Sequence, residues 1–253
     1  MILSRSLTGA PLHYRPSSGL YLKDDFAFGH PSSAIGELDW YSQAIGGGAA
    51  VAASGATAAG EDADVRGVIA LNSQTGTTGR GTDWFLSGAV NPIPWITRGN
   101  VPTGSFCEFK VRMQTTEANA YMWCGLLGGD LDAIPNAASA YPGVFFRIDT
   151  DAAGAGNWFG VVKDGAGAGN ENTVDLGVGT SNTAGDWAIL KWVKVATGFQ
   201  FHINGSAVGA IQTANTPGHD SDMYTLHMGV TTDDGGGAAR QLLIDYCELL
   251  IKR

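Results

Sequence analysis

The sequence predicts an all-β protein made of two stacked antiparallel sheets, and three features carry that prediction. Between Phe106 and Met113, apolar Cys107, Phe109, Val111 and Met113 alternate with Glu108, Lys110 and Arg112. That period of two is the mark of a strand with one buried and one wet face. Asn204-Gly205 separates two strand-like runs, and Asn-Gly is the strongest short hairpin signal because a type I′ turn needs φ > 0 at both central residues. No window of useful length carries the 3.6-residue apolar period of an amphipathic helix.

Composition agrees. A chain of 253 residues suits one β-domain, since sandwiches often run to about 200–250 residues as a unit. Charged residues make up only 15%, against about 25% in an average globular protein, and 37 glycines fill the space with small-residue loops. The net charge of −9, with no run of three basic residues, excludes a role that grips phosphate backbones. It suits neutral partners such as glycans or other protein surfaces. No stretch approaches about 18 uninterrupted apolar residues, so no membrane insertion is expected. The first nine residues lack the charged and apolar regions of a signal peptide. Cys107, Cys124 and Cys247 lie far apart in strand-like runs, which reads as buried free thiols made in a reducing cytosol.

Along the chain, residues 1–24 read as an extended N-terminal arm, broken by Pro11, Pro16 and Ser17-Ser18-Gly19. Its Leu3, Leu7, Leu12, Tyr14, Leu20 and Tyr21 have no pattern that buries them within the arm, so docking on a neighbouring subunit is expected. Residues 25–253 read as one sandwich domain. Residues 36–41, 49–52 and 67–71 look like short strands, and 121–127, apolar on both faces, like a central one. Residues 144–149 and 158–163 form an expected hairpin, followed by strands at 173–178, 187–195, 199–203, 206–211, 226–230 and 242–252. The total is about twelve to fourteen strands. Phe109, Val111, Phe146, Ile148, Leu190, Trp192, Phe201 and Ile244 are the expected core.

An ordered set of segments extends this reading. It comprises Asp25-Phe26, Gly36-Glu37-Leu38-Asp39-Trp40, residues 106–112, residues 142–149 (PGVFFRID), residues 187–191, residues 201–208 and residues 242–246 (LLIDY). Together they resemble the concanavalin A-like lectin/glucanase (laminin-G-like) jelly roll, in the form found among bacteriophage structural proteins, over about residues 25–251. The resemblance implies a non-catalytic virion protein: a capsid decoration, head fibre or tail component, assembled in the host cytoplasm. It implies other capsid or tail proteins as partners through the arm, a homo-oligomer in the assembly, and a possible glycan ligand. The alternatives are a carbohydrate-binding or receptor-binding module and, more weakly, a glycoside hydrolase.

Glucanases of this superfamily carry Glu-x-Asp-x-x-Glu on one strand, with alternate residues facing the cleft. Glu37-Leu38-Asp39-Trp40-Tyr41-Ser42 matches the first two positions, but the third is Ser42, which lacks the carboxyl needed for general acid–base work. No catalytic residue is therefore assigned. The histidines His13, His30, His202, His219 and His227 form no zinc-type spacing, and His202 and His227 read as ordinary sheet residues. Asp149-Thr150-Asp151, Glu61-Asp62-Ala63-Asp64 and Asp233-Asp234-Gly235 offer oxygen atoms, but none has the spacing of a calcium loop, so no metal or cofactor is expected. Trp123, Trp158, Trp187 and Trp192 read as core or sheet-face residues. Trp84 and Trp95, flanking Asn91-Pro92-Ile93-Pro94, are the better surface candidates.

Overall fold

The computed structural model describes residues 14–15, 19–24, 26, 40–45, 54–55, 68–73, 81–86, 97–98, 100–113, 120–128, 135–136, 139–149, 156–167, 170–179, 187–217, 223–232 and 240–252. Among them are seventeen strands and no helix. In chain order these are β1 (Tyr14–Arg15), β2 (Gly19–Asp24), β3 (Trp40–Ile45), β4 (Ser54–Gly55), β5 (Ile69–Asn72) and β6 (Gly81–Leu86). Next come β7 (Thr97–Arg98), β8 (Phe106–Met113), β9 (Ala120–Gly128), β10 (Gly143–Asp149), β11 (Asn157–Lys163) and β12 (Glu171–Gly179). The last are β13 (Ala188–Val195), β14 (Gly198–Ile203), β15 (Ser206–Gln212), β16 (Met223–Thr232) and β17 (Gln241–Ile251).

They form two sheets. Sheet A runs β1-β2-β17-β8-β13-β14-β15, with β5 paired to β17 and β4 paired to β5. Sheet B runs β12-β11-β10-β9-β16-β6-β3, with β7 paired to β16. Strand β17 has three partners: β8 lies along one side, while β5 and then β2 follow each other along the other. The β10–β11 hairpin forms as expected, Phe146 opposite Gly160. The Asn204-Gly205 turn has φ of 47° and 83°, as the hairpin signal required.

The period-2 faces meet between the sheets. All eight expected core residues, Phe109, Val111, Phe146, Ile148, Leu190, Trp192, Phe201 and Ile244, are fully buried. Phe146 of sheet B meets Phe201 of sheet A edge to face, ring centroids 5.6 Å apart, within the geometry that aromatic pairs prefer. Gly160 makes room for that crossing: a Cβ there would lie 2.4 Å from Phe201 Cδ1. The three cysteines are free and buried in the same core, and burial pushes all three thiols well above their ordinary pKa.

Strand β2 falls within the residues expected to form the arm. Residues 20–24 pair with residues 247–251 of β17, so this end of the expected arm is an integral strand of sheet A. The reason is a short period-2 pattern: Leu20 and Leu22 face the core, with Tyr21 and Lys23 outward. Buried Asp24 continues the inward set. Its carboxylate accepts the Phe26 N–H at 2.9 Å and the Trp40 Nε1–H at 3.0 Å, tying sheet A to the start of β3. Residues 36–39 and 49–52 lie outside the described residues.

Truncating Phe109 or Trp192 to alanine is expected to cost about 3–5 kcal/mol, the usual range for a large core aromatic, measured by urea denaturation. A thiol reagent such as DTNB is expected to leave the native protein unmodified and to titrate all three cysteines once it is unfolded.

Candidate functional site

The outer face of sheet B, turned away from the core, holds the densest group of chemistry-bearing side chains. On a sheet one face shows every second residue, and here that face is buried as well. Tyr121, Trp123 and Leu127 of β9, Phe145 of β10, Val161 of β11 and Ile45 of β3 form a second apolar cluster there.

Two lateral rows cross this face. One runs Asp83, Gly229, Trp123, Arg147, Phe159, Asp175 across β6, β16, β9, β10, β11 and β12. The next runs Phe85, His227, Gly125, Phe145, Val161, Thr173. Gly229 has no side chain to obstruct the Trp123 indole: a Cβ there would lie 2.1 Å from Trp123 Cζ2. The ring therefore crosses β16, and Trp123 Nε1–H donates to Asp83 Oδ1 at 2.9 Å. The other carboxylate oxygen, Asp83 Oδ2, lies 2.8 Å from His227 Nδ1. Phe85 stacks on the imidazole with centroids 5.5 Å apart. Asp83, Trp123 and His227 are all fully buried. With Nδ1 turned to Asp83, Nε2 is the ring's other hydrogen-bonding atom. Among the described residues it has no hydrogen-bond partner.

A second polar group lies toward β12. Arg147 makes a two-pronged contact with Glu171, at 2.8 and 2.6 Å, the strong geometry for a guanidinium and a carboxylate. Lys163 Nζ donates to the Asn136 carbonyl at 2.8 Å and lies 3.9 Å from Glu171 Oε2. Burial pushes the Lys163 amine below its ordinary pKa; Glu171 acts in the opposite sense, and Arg147 lowers it further. Tyr121 Oη–H donates to the Pro135 carbonyl at 3.1 Å, so residues 135–136 lie against this face at two points.

The outer face of sheet A is different in kind. Glu108 takes hydrogen bonds from Lys191 Nζ at 3.0 Å and Tyr246 Oη at 2.7 Å. Burial first, and that bond second, push the Tyr246 phenol well above its ordinary pKa. Lys110 and Arg112 lie 5.1 and 5.0 Å from the Trp187 ring centre, and Lys110 also pairs with Asp245. These are part-exposed ladders of satisfied charges.

The residues singled out in the sequence fall as follows. Glu37 and Asp39 lie outside the described residues, and Ser42 stands on β3 opposite Trp84 of β6. Trp84 lies on β6, while Trp95 lies outside the described residues. Trp123, Trp158 and Trp192 are buried, as expected. His202 is a half-buried sheet residue, whereas His227 is more than that, because it is held by Asp83. His13, His30, His219, Glu61, Asp62, Asp64, Asp151, Asp233 and Asp234 lie outside the described residues, and Asp149 ends β10. Among the described residues, no group of three or more His, Cys, Asp or Glu can hold a metal ion. The Asp83–His227 pair spans 144 positions; its only trace in the sequence is a polar residue interrupting each of two strand-like runs.

This architecture is the concanavalin A-like jelly roll shared by lectin domains and glucanases. The Emp47p carbohydrate recognition domain superposes with a TM-score of 0.56 at 11% identity, over 91% of this chain and 94% of that one. The β-glucanase of Bacillus licheniformis does so with a TM-score of 0.56 at 9% identity, over 91% and 97%. Rv0315 of Mycobacterium tuberculosis, described as a pseudo β-1,3-glucanase, gives 0.55 at 12% identity, over 92% and 98%. No family model matches the chain, and no curated protein matches it in sequence. At these identities the likeness is one of fold.

Asp83→Ala is expected to destabilise the protein by about 2–6 kcal/mol, since it strands two buried N–H groups at about 1–3 kcal/mol each. Gly229→Ala is expected to cost about 1–3 kcal/mol by forcing the indole off β16. Thermal denaturation with tryptophan fluorescence reads both.

Proposed function

We propose that this chain is a non-catalytic virion structural protein of bacteriophage type, built on a lectin-like jelly roll. The observation that carries the non-catalytic part is the state of the carboxylates on the outer face of sheet B. Among the described residues, Asp83 is taken up by Trp123 and His227, Glu171 by Arg147, and Asp175 by Asn157 at 3.0 Å. Five inter-strand steps separate Asp83 on β6 from Glu171 on β12, about 24 Å at the usual strand spacing. A glycosidase pair stands only about 5–9.5 Å apart. Burial of the centre of this face further favours a packed support over an open cleft. A pseudo-glucanase and a lectin domain among the similar structures are consistent with this fold serving without hydrolysis. The virion part rests on the ordered segments that resemble phage structural jelly rolls.

Two measurements test the reading. Incubated with mixed-linkage and β-1,3-glucans, the protein is expected to release no reducing ends, and Glu37→Gln to change nothing. Hydrolysis abolished by that substitution overturns the proposal. Immunogold labelling of purified particles is expected to place the protein on the virion, and its recovery solely as free protein opposes that.

A further inference from the structure

We propose that the β14–β15 hairpin is a self-association edge, through which two copies of this chain join sheet A to sheet A. Among the described residues, strand β15 is the last strand of sheet A and pairs only with β14. Its burial pattern is exposed at five of seven positions. Ile211, on this strand, is the exposed large hydrophobic residue among those described, at 41% exposure.

The charge pattern points to a second copy as the occupant. Residues 195–217 contain no Lys, Arg, Asp or Glu, although the chain as a whole carries −9. Two copies of like net charge that meet along this hairpin bring no charged side chain together. An exposed sheet edge is normally protected by lysine, proline or an inward charge, and β15 has none of these. Uncharged edges of this kind take another strand through their free main-chain groups. An antiparallel β15–β15′ contact is isologous, so it closes as a dimer rather than growing into a fibre.

The register shows which groups are available. Ile203 opposes Ser206 across the turn, and Phe201 opposes Val208. Strand alternation then turns the N–H and C=O of Ala207, between them, toward the open edge. Beyond Val208 the register shifts, from Phe201↔Val208 to Phe199↔Gln212. The bulge is satisfied from within: Gln200 Nε2 donates to the Val208 and Gly209 carbonyls at 3.0 and 3.4 Å, and Gln212 Nε2 to that of Ala210 at 2.8 Å. Pairing is thereby confined to residues 206–208, with Ile211 packing on the partner hairpin. So small a contact falls below the roughly 1,200 Å² of stable interfaces, and its dissociation constant belongs in the micromolar range or weaker.

Sedimentation velocity of the full chain, over a concentration series that crosses from micromolar to millimolar, tests this. The wild type is expected to show a sedimentation coefficient that rises reversibly with concentration toward a dimer. Ile211→Lys sets two like charges in the contact, and Ala207→Pro removes the outward N–H at an edge position that tolerates proline. Both are expected to abolish the rise while leaving the melting temperature and circular dichroism unchanged, because both residues are exposed. A wild type monomeric throughout overturns the proposal, as does a dimer that survives both substitutions.

Discussion

The structure depends on one constraint, the burial of β9 on both faces. Every residue from Ala120 to Gly128 is buried. Met122, Cys124 and Leu126 face sheet A across the sandwich, while Tyr121, Trp123 and Leu127 enter a second apolar cluster on the opposite side. A strand of this kind takes the centre of its sheet, and β9 lies between β10 and β16. Its neighbours are drawn in with it, so polar side chains on the outer face of sheet B find their partners inside the protein rather than in water.

The polar groups of that face follow from this. A buried carboxylate is tolerated when donors surround it, and Asp83 has two, an indole N–H that reaches over Gly229 from β9 and an imidazole N–H from β16 itself. Arg147, Glu171 and Lys163 answer the same demand at the other end of the sheet. The Asp83 group joins strands distant in the chain, whereas Arg147, Lys163 and Glu171 join the successive strands β10, β11 and β12; both groups fix lateral register as well as satisfying charge. The Asp83–Trp123 bond sets β6 against β9 across the whole width of β16.

What was legible in the sequence was what a local period reveals. The alternation in β8, the double-sided hydrophobicity of β9 and the Asn204-Gly205 turn each record a backbone requirement within a few residues. Strand β2 was harder, because only Leu20 and Leu22 mark its inward face and Pro16 stands close by. The Asp83–His227–Trp123 group was not legible, since its members come from β6, β16 and β9, and no spacing in one dimension encodes a lateral row. His227 looked ordinary because its neighbours in sequence, Leu226 and Met228, face the other way.

The placement of β17 has a consequence for biosynthesis. Residues 20–24 and 69–72, made early and flanked only by the two-residue strands β1 and β4 among the described residues, find their long sheet partner in residues 241–251. During translation β2 and β5 wait with unpaired edges until β17 has left the ribosome. Contacts so remote in sequence make folding slow and expose strand edges to wrong partners meanwhile. Sheet B can assemble sooner, because β9, β10, β11 and β12 pair in direct succession. A stalled or shortened nascent chain would thus carry a partly formed sheet B beside an unsealed sheet A, a species for chaperones to hold until the final strand arrives.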